Sequence, residues 1–110
     1  MNYVFSLEGV FSATERIVAS DEVQQFNSEQ YTRNEGSAIA ALITCEANKI
    51  RFCVGGSDPT QGDNGLGHIL YVGQSLRLTN PGAIRTFKYI NHTNGADSVL
   101  QVSFEFELGR

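Results

Sequence analysis

The sequence predicts an all-β domain, a single antiparallel β-sandwich or jelly-roll-like fold with little helix. The clearest sign is near the end of the chain. There Leu100, Val102, Phe104, Phe106 and Leu108 alternate with Gln101, Ser103, Glu105 and Glu107, the period-2 pattern of a strand with one buried and one wet face. A second strand shows the same alternation, with Ile50, Phe52 and Val54 on one side and Lys49 and Arg51 on the other. Runs of this kind recur between Gly, Pro and Asn turn residues at roughly eight- to twelve-residue intervals, as sandwich strands do.

In chain order, Tyr3, Phe5 and Leu7 alternate as a first strand, with Gly9 as a bulge or turn before Val10-Phe11. Ser12-Ala13-Thr14-Glu15 spells a capping box, and Ser20-Asp21-Glu22 offers a cap for a short helix through Val23 and Phe26. Neither is followed by a sustained helical period, so one or two turns are the most expected. Phe26 to Gly36 reads as an exposed loop or strand edge. Ala38 to Cys45 is apolar on both faces and β-branched near its end, which suits a central strand. A hairpin around Ala47-Asn48-Lys49 then leads into the Lys49–Val54 strand. It would make neighbours of Cys45 and Cys53, although the register is open, and free thiols are expected in a reducing compartment.

Gly55 to Gly67 is too rich in Gly, Asp and Pro for a ladder or a helix and is a long loop. His68 to Val72 opens a new strand that Gly73 interrupts. Gln74 to Thr79 puts Leu76 and Leu78 on one face and Arg77 on the other, and Asn80-Pro81-Gly82 turns the chain. Ile84 to Ile90 and Val99 to Leu108 complete the strands, and Asn94-Gly95 between them supplies the positive-φ pair of a tight hairpin. The expected core is Phe52, Leu70, Leu76, Leu78, Phe87, Leu100, Val102, Phe104 and Phe106.

A chain of 110 residues is one domain. It divides into an acidic N-terminal strand and loop region, residues 1–36, and a core sandwich, residues 37–110. The net charge of −4 is uneven: residues 1–36 hold six acids against Arg16 and Arg33, while the remainder balances six acids with six bases. With no basic stripe, nucleic acid is not an expected partner. Neither a signal-peptide pattern nor a membrane-length apolar run occurs, so the product is expected to stay in the cytoplasm where it is made.

No residue constellation names a reaction. His68 and His92 lack a spaced ligand pattern, and Cys45 and Cys53 lie too far apart in sequence for a zinc knuckle. The loop acids Asp58 and Asp63, with Asn64, lack the spacing of a calcium loop. No Gly-x-Ser-x-Gly elbow is present, and nothing brings Glu46, Glu105 and Glu107 together as paired carboxylates. Tyr31, Tyr71 and Tyr89 are candidates for stacking on a sugar or a partner. Neither a catalytic residue nor a cofactor or metal is expected.

Ile50-Arg51-Phe52, Gly55-Gly56-Ser57-Asp58-Pro59-Thr60, Gly67-His68-Ile69-Leu70, Gly73-Gln74-Ser75-Leu76, Ile84-Arg85-Thr86-Phe87 and Leu100-Gln101-Val102-Ser103-Phe104 follow one another in a succession that resembles small structural proteins of tailed bacteriophages. The similarity spans roughly residues 38–106. It is greatest to the decoration, or cement, proteins that bind the capsid exterior and stabilise the expanded shell. The resemblance implies a non-enzymatic virion protein on the capsid exterior, made in the host cytoplasm, with the major capsid protein as partner and a dimeric or trimeric homo-oligomer on the shell. A carbohydrate- or receptor-binding tail module and a minor head or neck component are the alternatives. The expected contact residues are Asp21, Glu22 and Glu29 from the acidic segment and Asp58, Pro59, Thr60, Asp63 and Asn64 from the long loop.

Overall fold

Two antiparallel sheets face each other across an aromatic core in the computed structural model, which describes residues 10–11, 13–33 and 36–106. Its described residues are all-β with one short helix. Its strands are β1 (Val10–Phe11), β2 (Glu15–Ala19), β3 (Gln24–Gln25), β4 (Thr32–Arg33), β5 (Gly36–Ser37), β6 (Ala40–Ala47), β7 (Ile50–Cys53), β8 (His68–Leu70), β9 (Ser75–Leu78), β10 (Lys88–Asn91) and β11 (Ser98–Phe106), with helix α1 (Pro81–Thr86) before β10. The first sheet has the order β1-β11-β6-β9. Strand β2 shares the β1 edge, pairing with Ser98 to Val102 of β11 while β1 pairs with Glu105 and Phe106. The second sheet has the order β3-β10-β7-β8, and β4 and β5 form a separate two-stranded ribbon.

Period-2 patterning accounts for the core. Leu100, Val102, Phe104 and Phe106 of β11 point inward with Ala41, Ile43 and Cys45 of β6 and Leu78 of β9, and meet Ile50, Leu70, Phe87 and Tyr89 from the second sheet. Phe52 and Leu76 pack against this cluster while partly buried. Phe26 sits at the centre of the aromatic contacts, stacked on Phe87 with centroids 5.3 Å apart and edge-on to Phe104 at 5.2 Å. It was expected to begin an exposed loop. Ala19 and Phe26 are both core residues, so the sandwich draws on the N-terminal third as well.

Several expected connections differ. Strands β6 and β7 form no hairpin, because Asn48, at φ 53°, carries the chain from one sheet to the other. Asn tolerates this left-handed conformation, and its Nδ2 donates to the Asp97 carbonyl at 2.8 Å. Cys45 and Cys53 accordingly lie in different sheets as buried free thiols. Strands β10 and β11 also belong to different sheets. The Asn94-Gly95 turn is tight, with the Ala96 N–H donating to Thr93 O at 3.0 Å, but only Gly95 has a positive φ. Ser20 to Glu22 caps no helix, and Glu15, the last residue of the apparent capping box, begins β2. The expected strands at 3–7 and beyond residue 106 lie outside the described residues.

The helix arises where a turn and a strand were expected. Asn80 is its N-cap, with Oδ1 accepting from the Ala83 N–H at 2.7 Å, and Pro81 occupies the first turn, where its missing N–H costs nothing. Ile84 is buried and anchors it. Replacing Asn80 with Ala is expected to cost about 1 kcal/mol, read as a lower denaturant midpoint at unchanged m-value.

Two polar residues assigned to wet faces are buried. Glu105 is 1% exposed and forms an ion pair with Arg77 at 2.6 Å. It sits on β11 where that strand is paired on both sides, by β1 and by β6. Arg51 is 7% exposed, covered by the long loop. Val54, expected on the inner face, lies beyond the end of β7 and is exposed.

Candidate functional site

The long loop is a compact Ω-loop folded against the outer face of β7. A segment of 13 residues outside the ladders has many carbonyls to satisfy, and Arg51 carries the donors to do it. Its Nε donates to Gly62 O at 3.0 Å, Nη1 to Gly67 O at 2.6 Å and Nη2 to Asp63 O at 3.1 Å. Three main-chain oxygens thus converge on a cation, and that cation is the guanidinium. Within the loop the Thr60 N–H donates to Leu66 O at 3.0 Å, and the Leu66 N–H donates to Thr60 Oγ1 at 2.6 Å. Gly65 is required by this closure, since a Cβ there would lie 2.2 Å from Thr60 O.

A second network ties the loop to the N-terminal acidic segment. Asn91, fully buried at the end of β10, donates from Nδ2 to Asp21 Oδ1 at 2.9 Å and to Ala96 O at 3.2 Å. Its Oδ1 accepts from Gln61 Nε2, which also donates to Asp21 Oδ1 at 3.1 Å. The same Asp21 oxygen accepts from the Gly95 N–H at 2.8 Å. Beside this knot the Gly62 N–H donates to the His92 carbonyl at 2.8 Å. The buried His92 ring has Nε2 3.3 Å from Asp63 Oδ1, near enough for ion pairing but too poorly aligned for a hydrogen bond.

The hydrogen bonds from Asn91, Gly95 and Gln61 hold the Asp21 carboxyl below its ordinary range, because they favour the charged form. A lowered folded-state pKa contributes stability that is present above the unfolded value, near 3.8, and disappears as pH falls through the folded value. Asp21→Asn is therefore expected to be less stable than the parent at neutral pH. The gap should close as acid protonates Asp21 in the parent, which paired denaturation curves between pH 7 and pH 2 would show. A gap unchanged over that range would remove the charge from the explanation.

Of the expected contact residues, Asp21, Asp63 and their neighbours in the loop are brought together, but not all on exposed ground. Asp58 is exposed and forms an ion pair with Lys88 at 2.8 Å. Thr60 closes the loop and Pro59 is fully buried, so the Pro59 ring is not a contact group, whereas Asp21 is exposed and takes its hydrogen bonds from Gln61, Asn91 and Gly95 on Oδ1. Asn64 and Glu22 are exposed. Glu29 stands apart, in the turn between β3 and β4, its N–H donating to Asn27 Oδ1 at 3.0 Å.

The roles of Arg51, Gln61, Asn91 and His92 in holding the loop escaped sequence reasoning. A signal did exist for Arg51: a residue with five donors immediately precedes a loop whose carbonyls have no ladder to join. Nothing comparable marks Gln61 or Asn91, whose contacts span 30 residues of sequence. Tyr89, considered for surface stacking, is buried, Tyr31 packs on Phe104 at 6.4 Å, and Tyr71 is half exposed with Lys49 Nζ 5.5 Å from its ring centre.

Among the described residues no group of three or more His, Cys, Asp and Glu side chains converges as a metal site. Their one helix is too short to cross a membrane. Comparison with protein-family models, with curated proteins and with solved structures finds no match to this chain.

Proposed function

We propose that this chain is a non-enzymatic virion structural protein of a tailed bacteriophage, a decoration protein that binds the outside of the expanded capsid and stabilises it. The motif resemblance across residues 38–106 suggests the class. The observation that supports a contact role is the coupling of Asp21 to Gln61 through Asn91, which joins the acidic segment and the Ω-loop into one pre-organised surface. Rigid surfaces lose little conformational freedom on binding, so modest contacts suffice. A protein that binds only the expanded lattice adds its binding free energy to that state alone. Self-association around a two-fold or three-fold axis of the shell would multiply the effect through effective concentration.

On this reading the accessible contact groups are Asp21, Glu22, Asp58, Asp63 and Asn64, while Asp21 Oδ1, Pro59 and Thr60 hold the surface in shape. Deleting residues 58–64 would destroy the loop rather than test it, since Arg51 and Asn91 would lose their partners. The informative variant is Glu22→Gln with Asp63→Asn and Asn64→Ala. It should retain the parent's melting profile and lose occupancy on purified expanded capsids, with the gap to the parent widest at low salt, where charged contacts are least screened. Hundreds of parent copies per particle would support the assignment. A handful of copies, or full occupancy by the folded triple variant across the salt series, would overturn it.

A further inference from the structure

We infer that His92 and Asp63 form a binding site for a divalent transition-metal ion of the zinc class, clasping the Ω-loop to the turn that follows β10. A cleft of about 330 Å³ lies there, walled by Gln61, Gly62, Asp63, His92, Thr93 and Asn94. These residues come from the loop and from residues 92–94, so an ion held between Asp63 and His92 binds both segments at once.

One buried atom points to an occupant. His92 is 5% exposed, and among the described residues its Nε2 is the only buried side-chain nitrogen or oxygen without a hydrogen-bond partner. Neither tautomer repairs this. His92 Nδ1 and Thr93 Oγ1 are 3.2 Å apart. With the proton on Nδ1, Thr93 accepts it and the Nε2 lone pair faces Asp63 Oδ1, acceptor against acceptor at 3.3 Å. With the proton on Nε2, the N–H points past the carboxylate. A cation between the two atoms satisfies both. The first tautomer is the one that receives it, since a metal-binding histidine donates from one ring nitrogen to a fixed neighbour and ligates with the other.

Geometry narrows the cation to a small metal. Zn–N and Zn–O bonds of about 2.1 Å at the tetrahedral angle place their donor atoms about 3.4 Å apart, with the oxygen about 35° off the nitrogen's lone-pair axis. The observed pair is 3.3 Å apart and off axis, the same offset that denies it a straight hydrogen bond. An ammonium or guanidinium nitrogen would need the room of a water molecule beside Nε2, and that atom is closed to one. A bare ion sits about 0.8 Å nearer than such a donor. Calcium and magnesium are hard cations that prefer oxygen to imidazole. Charge agrees with the assignment. Asp63 keeps 90% of its side chain in solvent, and among the described residues no lysine or arginine pairs with its carboxylate, because Arg51 bonds its main-chain oxygen instead. The ion's other positions are left to water or to the side-chain oxygens of Gln61 and Asn94 in the wall.

The test is a titration of the whole metal-free chain, isotope-labelled, with zinc chloride, followed by ring-nitrogen and amide spectra. His68, exposed on β8, is the internal control. His92 Nε2 should shift and saturate with a Kd on the order of 100 μM, as suits only two protein ligands, and at zinc concentrations at least about tenfold below any change at His68. Asp63→Asn, at an exposed position, should weaken zinc binding at least about tenfold with the amide spectrum otherwise intact. His92→Gln should abolish the response of the Gly62 and Asn94 amides, and magnesium should leave the ring nitrogens unmoved. No Nε2 shift below about 1 mM zinc, saturation of His68 together with His92, undiminished binding by Asp63→Asn, or an equal response to magnesium would each overturn the inference. So would a His92 ring protonated at both nitrogens that zinc fails to displace, which would assign the gap to a proton. No capsid enters this experiment, so its outcome and that of the decoration reading are independent.

Discussion

Arg77→Ala is expected to lower stability by about 3 to 5 kcal/mol, the range for breaking a buried ion pair from one side. The partners differ in exposure. Arg77, on the edge strand β9, keeps 27% of its side chain in solvent, whereas Glu105 keeps 2%. Truncating the arginine therefore leaves the carboxylate as the uncompensated charge, in a position flanked by β1 and β6 and cut off from the sheet edge. The register places Leu42 of β6 opposite Arg77, so the guanidinium reaches across the middle strand to its partner. Replacing both members, Arg77→Met with Glu105→Leu, removes the charge and its partner together and should recover most of the loss. Urea denaturation checks both variants. A cost for Arg77→Ala below about 1 kcal/mol, the value of a surface pair, would mean that Glu105 finds water in the native state.

That pair also shows where sequence reasoning stops. Alternation in β11 correctly put Leu100, Val102, Phe104 and Phe106 inside, because side-chain period is a local property of an extended chain. Whether the opposite face is wet is not local. Glu105 and Arg51 sit on the polar side of correctly assigned strands and are buried all the same, one paired across β6 and the other roofed by a loop. Strand partners were less legible than strands. Three of the tight connections, at Asn48, at Gly73 and at residues 92–97, carry the chain between sheets rather than back along the same one, and turn chemistry looks alike in both cases. Helix α1 is six residues long, too short to show a period, and only Asn80-Pro81 announced it. Of the candidate surface, the loop and the acidic segment were visible as compositional anomalies. Their coupling through Asn91 was not, since a buried Asn in an unremarkable strand carries no local signal.

Arg51→Ala is expected to cost about 3 kcal/mol and to release the Ω-loop. Each of its three bonds is charge-assisted, a class worth roughly 1.5 to 3 kcal/mol apiece. The total should fall well short of their sum, because the freed carbonyls of Gly62, Asp63 and Gly67 can regain water once the loop lifts. Arg51→Lys should recover only part of the loss, since an ammonium cannot reach three divergent carbonyls with a planar fork. The loop should report the change before the core does. In the parent, the amides of Thr60, Gly62 and Gly65 are held by Leu66 O, His92 O and Gly62 O, and their exchange should be slow. In Arg51→Ala these amides should exchange at least about tenfold faster, while those of Val102 and Phe104 on β11 follow only the fall in global stability. If the loop is the capsid contact, shell occupancy should fall in step with loop exchange across Arg51→Lys and Arg51→Ala. Loop amides that stay protected in Arg51→Ala would assign the loop's order to its own Thr60–Leu66 closure and the Gln61–Asn91 bond instead of to the arginine.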